Sequence, residues 1–183
     1  MYSRIFSLAG GHAAIAVMLA TLSGTAAEAG PRDKAFFDSV AGEWKGPGEI
    51  VAGKYKGTKF NCTLKGEPAE GKEAGIKLDG TCRVGVFTQP MSAFIAAKGN
   101  GYTGTFLDGA AGKGLDIVSG TVANNRAVMG ISRAQLNGAL VARVDDQNSM
   151  NVTISVKVED RMVPVIGMTL GRQPDTMAVG SIR

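Results

Sequence analysis

Alternation of apolar and polar positions is the strongest pattern along the chain. It is clearest in residues 150–158, where five apolar side chains share one face: Met150, Val152, Ile154, Val156 and Val158. A period of two predicts a β-strand with one buried face and one wet face, as in antiparallel sheets. A second alternating segment, 161–170, begins directly after Glu159–Asp160. The expected connection between them is a tight hairpin.

Similar segments recur from residue 43 onward and predict about ten strands. Their expected bounds are 43–52, 57–65, 75–86, 91–98, 102–108, 115–122, 126–132, 139–144, 150–158 and 161–170. Turn residues such as Gly99–Asn100–Gly101 and Asn124–Asn125 separate them. Successive strands joined by short turns predict an all-β fold, an antiparallel up-and-down barrel of about 8–10 strands. A two-sheet sandwich is the alternative.

One segment has helical spacing instead. Phe36, Phe37 and Val40 fall on one side of a helix over residues 33–41. This short N-terminal helical turn is expected to plug or flank the barrel mouth.

The first 29 residues have the pattern of a secretion signal. An apolar stretch at 13–22 is about ten residues long, whereas a bilayer span needs roughly 20. Ala27 and Ala29 supply the small residues that signal peptidase requires. We therefore predict a cleaved signal peptide at 1–29 and a single mature domain at 30–183, located in the periplasm or secreted.

Cys62 and Cys82 are the only cysteines. If they face each other in an antiparallel hairpin, opposed residues have numbers that add to 144. That register also places the apolar residues of both strands, including Leu64, Ile76 and Val86, on the cysteine face. We predict a structural disulfide that faces inward, as an oxidising compartment permits.

Composition excludes several function classes. The only histidine, His12, lies in the predicted signal. The mature chain therefore lacks a Ser-His-Asp triad, a His-bearing metal site and a His-ligated haem. We expect no enzyme activity, no metal and no cofactor. The net charge of +4 is interspersed, without a run of five like charges, so nucleic acid is not an expected partner.

The densest basic stretch is Lys54, Lys56 and Lys59. A solvated hairpin explains it, with contact to an anionic lipid or anionic ligand as the alternative. We do not expect a membrane-spanning barrel, because the outward faces of the predicted strands carry charges where lipid-facing residues would be apolar.

The segment Gly42–Glu43–Trp44 follows the helical turn and begins the first strand. Here the chain resembles the calycin superfamily, the lipocalin-like barrels, in which a Gly-x-Trp closes one barrel end. Gly46 and Gly48 are also similar to the glycine-rich run of nitrobindin-like barrels. The resemblance implies a barrel with Trp44 packed across its base. It does not imply haem binding, since the mature chain has no histidine.

These patterns favour a periplasmic binding protein that holds a small hydrophobic or amphipathic ligand inside the barrel. The expected ligand-binding residues are Trp44, Met150, Val152, Ile154, Val156, Ile166 and Met168. Such a surface has few polar anchors, so we expect broad, micromolar-class binding. The alternative is a non-catalytic structural or interaction protein of the bacterial cell envelope, which contacts an envelope protein or lipid through its surface.

Overall fold

Alternating side chains build ten strands, and one helix precedes them. The computed structural model describes residues 30–71, 74–107 and 114–174. The elements are α1 (Pro31–Val40), β1 (Gly42–Ile50), β2 (Lys59–Pro68), β3 (Gly75–Val84), β4 (Phe87–Lys98), β5 (Gly101–Leu107), β6 (Leu115–Ala123), β7 (Arg126–Arg133), β8 (Leu136–Asp145), β9 (Ser149–Val158) and β10 (Arg161–Arg172).

The strands close into a single barrel. Each strand pairs antiparallel with its neighbours in sequence, and β1 pairs with β10 to complete the ring. The predicted up-and-down barrel is confirmed, and the sandwich alternative is wrong. Closure removes the exposed sheet edges that a sandwich would leave.

Side chains follow the predicted alternation. Met150, Val152 and Ile154 of β9 are buried, and the neighbouring odd-numbered residues lie on the outer wall. Val158, at the end of β9, is 52% exposed. The apolar face predicted for residues 150–158 therefore lines the interior over most of its length and reaches the rim of the barrel at Val158.

The hairpin of β2 and β3 has the predicted register. Cys62 lies directly opposite Cys82, with their Cα atoms 4.0 Å apart and a disulfide between them. Every paired position in this hairpin, from Asn61 with Arg83 to Pro68 with Ile76, keeps the same register. Both cysteines are buried, so the bridge faces the barrel interior as predicted.

Helix α1 closes one end of the barrel. It begins with Pro31 in its first turn, where proline is well tolerated, and contacts β2, β3 and β6. Trp44 is fully buried beneath it and donates its Nε1–H to the carbonyl of Val40 at 2.8 Å. The helix thus covers the barrel base next to Trp44, as the resemblance implies.

Arg172 fastens the last strand to this closed end. Its guanidinium lies 4.3 Å from the centre of the Trp44 ring and donates to the carbonyls of Ser39 and Ala41. These carbonyls stand at the C-terminus of α1, where a cation is favoured by the helix dipole. One side chain therefore holds the helix, the first strand and the last strand together.

Several predicted strand bounds are wrong. The largest error is in β4, which begins at Phe87 and not at 91. β3 ends at Val84 and not at 86, and Val86, which we expected to face inward, is 89% exposed on the turn before β4. β8 begins at Leu136 and not at 139, so Asn137–Gly138 lie within a strand. The turn is Ala134–Gln135, with Ala134 at φ 51°, a conformation that its sequence does not signal.

Residues 1–29, predicted as a signal peptide, lie outside the described residues. Within the described ranges, no helix has the length and apolar character needed to cross a bilayer.

Candidate ligand cavity

At the end of the barrel opposite α1, turns connect β1 to β2, β3 to β4, β7 to β8 and β9 to β10, and β5 ends beside the start of β6, because alternate connections of an up-and-down barrel lie at the same end. From here on, the mouth means this end, which α1 does not cover. A cavity of about 330 Å³ lies between the strands that lead to it.

The walls of this cavity are almost entirely apolar. Aromatic residues Phe60 and Phe106 contribute to them, together with aliphatic residues from β1, β3 and β6–β10. Two lining residues are polar, Gln89 on β4 and Arg133 on β7. Both stand near the mouth, two residues into β4 and at the last residue of β7 respectively. The cavity is therefore apolar in its depth, and its two polar residues lie near its opening.

A smaller space of about 70 Å³ lies deeper, towards α1. Its walls are apolar and include Phe37 of the helix and Met129 of β7. Phe106, Ile154 and Met168 line both spaces, so these side chains form the partition between them.

The predicted ligand-binding residues divide into three groups. The cavity near the mouth is lined by Ile154, Val156, Ile166 and Met168. Met150 and Val152 line the deeper space, together with Ile154 and Met168. Trp44 contributes to neither of these two linings, and its ring is buried at the closed end under α1. The structure therefore brings six of the seven residues to one interior surface, in two layers.

Sequence reasoning missed Gln89 and Arg133, although the alternation along their strands places both on the inward face. Met129 and Ile131 face inward on β7, and Arg133 is the next position of the same parity. On β4, Ala93 and Ile95 face inward and Gln89 has their parity. Arg133 was excluded because the predicted strand ended at 132, and Gln89 was excluded because the predicted strand began at 91.

Val165 was missed for a different reason. The pairing of β9 and β10 shifts between Pro164 and Ile166, which leaves Val165 as the extra residue of a bulge. Val165 and Ile166 consequently both line the cavity, although adjacent residues of a regular strand face opposite sides.

Phe60 owes its place in the cavity wall to a glycine. Gly48 stands opposite Phe60 in the pairing of β1 and β2. A Cβ at Gly48 would lie 2.3 Å from the Phe60 ring and 2.8 Å from Met168 Cγ. The missing side chain therefore lets the Phe60 ring lie against β1.

A second depression lies on the outer wall between β5 and β6, where only three residue pairs connect the strands. It is lined by Phe94, Val118 and short polar residues such as Thr103, and it is open to solvent. Ligand sites usually enclose most of their ligand, so this shallow groove is the weaker candidate.

At the closed end, Tyr102 donates a hydrogen bond to Asp33 Oδ2 at 2.5 Å. Burial raises the pKa of the Tyr102 phenol above its ordinary value, and the hydrogen bond to Asp33 raises it further. The phenol is therefore held protonated and ties α1 to β5.

No protein-family model matches the chain, and no curated protein sequence matches it significantly. Its fold is similar to that of solved structures, among them the crystal structure of Rv2717c from M. tuberculosis. That similarity has a TM-score of 0.56 at 12% sequence identity and covers 79% of this chain and 99% of that chain. At this identity the likeness shows the fold alone. The closed antiparallel barrel fits a lipocalin-like fold in general.

Proposed function

We propose that the protein binds one small hydrophobic or amphipathic molecule inside its barrel and has no catalytic activity. The observation that carries this proposal is the apolar cavity of about 330 Å³ beneath the mouth. Its size lies within the usual range of ligand pockets, about 300–1,000 Å³. Apolar surface removed from water there contributes roughly 25 cal/mol per Å² to binding.

The two polar residues of the cavity would orient an amphipathic ligand. Arg133 and Gln89 line the cavity near the mouth, and the deeper walls are apolar. An amphipathic ligand would place its apolar part towards α1 and its polar group beside Arg133. A guanidinium favours a carboxylate or phosphate, because it donates two parallel hydrogen bonds to either.

The cavity volume limits the apolar part. A volume of about 330 Å³ corresponds to roughly eleven waters at about 30 Å³ each. A longer chain would have to enter the deeper space by displacing Ile154 or Met168. With so few polar anchors, discrimination among ligands is weak, since one methylene changes binding by about 1–3 kcal/mol. Broad, micromolar-class binding follows from this.

The proposed location is the periplasm or the exterior of the cell. The Cys62–Cys82 disulfide supports this, because such bridges persist in oxidising compartments. The N-terminal signal pattern supports it independently. Membership of the calycin superfamily is likewise a proposal, supported by Trp44 beneath the helix at the closed barrel end.

One observation favours the alternative, a structural or interaction protein of the cell envelope. Large apolar side chains are exposed around the mouth, including Val86 and Phe87. A binding barrel loses its function when the interior is filled, whereas a surface-acting protein does not. Filling the cavity therefore separates the two functions.

The test is displacement of an environment-sensitive fluorescent lipid probe by fatty acids. We expect saturable binding at about 100 µM or below, which includes any micromolar dissociation constant. Ile154→Trp should fill the partition between the two spaces and weaken binding at least ten-fold. Thr153→Trp, the adjacent position on the outer wall, is the matched control and should bind as the wild type does. Absence of binding at 100 µM, or equal binding by both variants, would remove the ligand-binding proposal in favour of the alternative.

A further inference from the structure

The exposed apolar side chains of this protein are concentrated at the mouth. Among the described residues, only Phe94 and Val118 of the large exposed apolar side chains lie elsewhere. Each of the four described mouth turns has at least one such side chain in it or beside it, and Leu107 stands at the mouth end of β5. Examples around the ring are Tyr55, Val86, Phe87, Leu107, Leu136 and Met162.

The turn between β3 and β4 presents the largest apolar area. Val86, in the two-residue turn that begins at Gly85 with φ 57°, is 89% exposed, and Phe87, the first residue of β4, is 77% exposed. A tight turn holds these side chains outward, away from the core of their own barrel. Exposed apolar groups gathered in one region mark an interaction surface, whereas single scattered ones do not.

Basic residues accompany this apolar ring. Lys54, Lys56 and Lys59 lie in or beside the turn between β1 and β2, and all three are exposed. Within the described ranges none of the three forms an ion pair with a carboxylate. Lys34, Lys65 and Lys77, away from the mouth, each pair with an acidic residue at 2.8–2.9 Å, whereas Lys45 and Lys98 stand singly without one among the described residues. The turn between β1 and β2 therefore gathers three lysines without an ion pair in one place.

We propose that the mouth docks onto the surface of an anionic phospholipid bilayer. We define the mouth surface as Val86, Phe87, Tyr55 and the three lysines Lys54, Lys56 and Lys59. Val86 and Phe87 enter the head-group region, Tyr55 lies at the interface with its ring apolar and its hydroxyl wet, and the lysines contact lipid phosphates. Each lysine near an anionic surface strengthens binding about five-fold.

A second copy of the chain fits this surface less well. Two mouths face to face would bring the three lysines of each copy together, and the exposed acidic residues of the mouth, Glu159 and Asp160, are fewer than its basic ones, so like charges oppose such a dimer. An anionic bilayer supplies both the apolar layer and the negative charge. Docking concerns the mouth surface and holds whether or not the cavity binds a ligand. If it does, the opening faces the lipid, so an apolar ligand passes between bilayer and barrel without crossing water.

The experiment is vesicle flotation with protein purified from cells that express the full chain, its N-terminus established by mass spectrometry. Vesicles contain phosphatidylcholine alone or with 30% phosphatidylglycerol. We expect flotation with the anionic vesicles only. Replacing all three lysines, Lys54→Glu, Lys56→Glu and Lys59→Glu, should weaken partitioning at least about 100-fold. The pair Val86→Asp and Phe87→Asp should weaken it at least ten-fold.

Matched controls lie away from the mouth. Phe94→Asp with Val118→Asp removes the exposed apolar side chains of the outer wall, and Lys45→Glu, Lys98→Glu and Arg126→Glu reverse three exposed charges there. The effect of the lower net charge is determined by repeating the flotation in 0.5 M salt. Once that effect is subtracted, both controls should change partitioning less than two-fold. Every variant must keep the emission of Trp44 and its binding of the fluorescent probe, which separates docking from the cavity function.

Three results would overturn the proposal. They are equal flotation with neutral vesicles, equal loss in the mouth and wall variants, and a dimer in vesicle-free solution that the mouth variants abolish. The last would assign the mouth surface to a second copy of the chain.

Discussion

At the scale of single residues, the closed end depends on a few side chains that each join several elements. Trp44 is fully buried, donates to the Val40 carbonyl and lies under the Arg172 guanidinium. Helix, first strand and last strand therefore meet at one indole. This explains why Trp44 serves the fold, while the residues that line the cavity lie further along the barrel.

Trp44→Ala should lower the free energy of unfolding by about 3–5 kcal/mol, because it removes the largest fully buried side chain and leaves a cavity. Trp44→Phe should cost less, since it keeps most of the apolar volume and loses the hydrogen bond to Val40. Urea denaturation measures both. Trp44 is the only tryptophan, so an emission maximum typical of full water exposure in the native protein would contradict its burial.

Tyr102 makes the closed end sensitive to alkaline pH. Burial and the hydrogen bond to Asp33 raise the pKa of Tyr102 in the folded protein, so the folded state holds the phenol proton more tightly than the unfolded chain. This stabilisation is fully present below the unfolded tyrosine pKa, about 10, and is lost as the pH rises from there through the higher folded pKa.

Tyr102→Phe should therefore be less stable than the wild type at pH 8 by about 1 kcal/mol, the value of one hydrogen bond. Above pH 10 its stability should fall less steeply than that of the wild type. Urea midpoints at pH 8–11 measure this. Tyr55→Phe, at a 63% exposed position, is the control and should follow the wild-type curve. Parallel curves for Tyr102→Phe and the wild type would contradict the assignment.

At the scale of elements, the register and the disulfide of the β2–β3 hairpin were predictable, but its strand ends were not. Pairing the two cysteines and burying the alternate apolar residues of both strands require the same register. A shift by one residue would expose the whole apolar face. The turn at Ala134–Gln135 was not predictable, because it contains no glycine, proline, asparagine or aspartate. The exposure of Val86 was not predictable either, since a period of two does not show where a strand stops.

The disulfide should stabilise this hairpin through the unfolded chain. It closes a loop with a sequence separation of 20, which corresponds to about 3 kcal/mol in the chain-entropy model. The double variant Cys62→Ala, Cys82→Ala should melt roughly 6–12 °C below the oxidised wild type. Calorimetry with and without a reducing agent measures this, and the variant should be insensitive to the reducing agent. An unchanged midpoint would show that the bridge adds no stability.

At the scale of the whole molecule, the barrel has two unlike ends. One end is closed by α1, Trp44 and Arg172, and the other surrounds a cavity with exposed apolar residues at its rim. The sequence pattern predicted the barrel and six of the residues that line its interior. It could not predict the empty space, because that depends on how inward side chains pack against neighbouring strands, as Phe60 of β2 packs against Gly48 of β1.

Native mass spectrometry tests the central claim most directly, because it counts the molecules that each barrel holds. The protein is mixed with a dodecyl carboxylate at 100 µM. We expect a single adduct with one ligand per chain in the wild type and in Thr153→Trp, and at least ten-fold less adduct in Ile154→Trp. An absence of adduct, or a statistical series of adducts that Ile154→Trp leaves unchanged, would contradict binding inside the barrel.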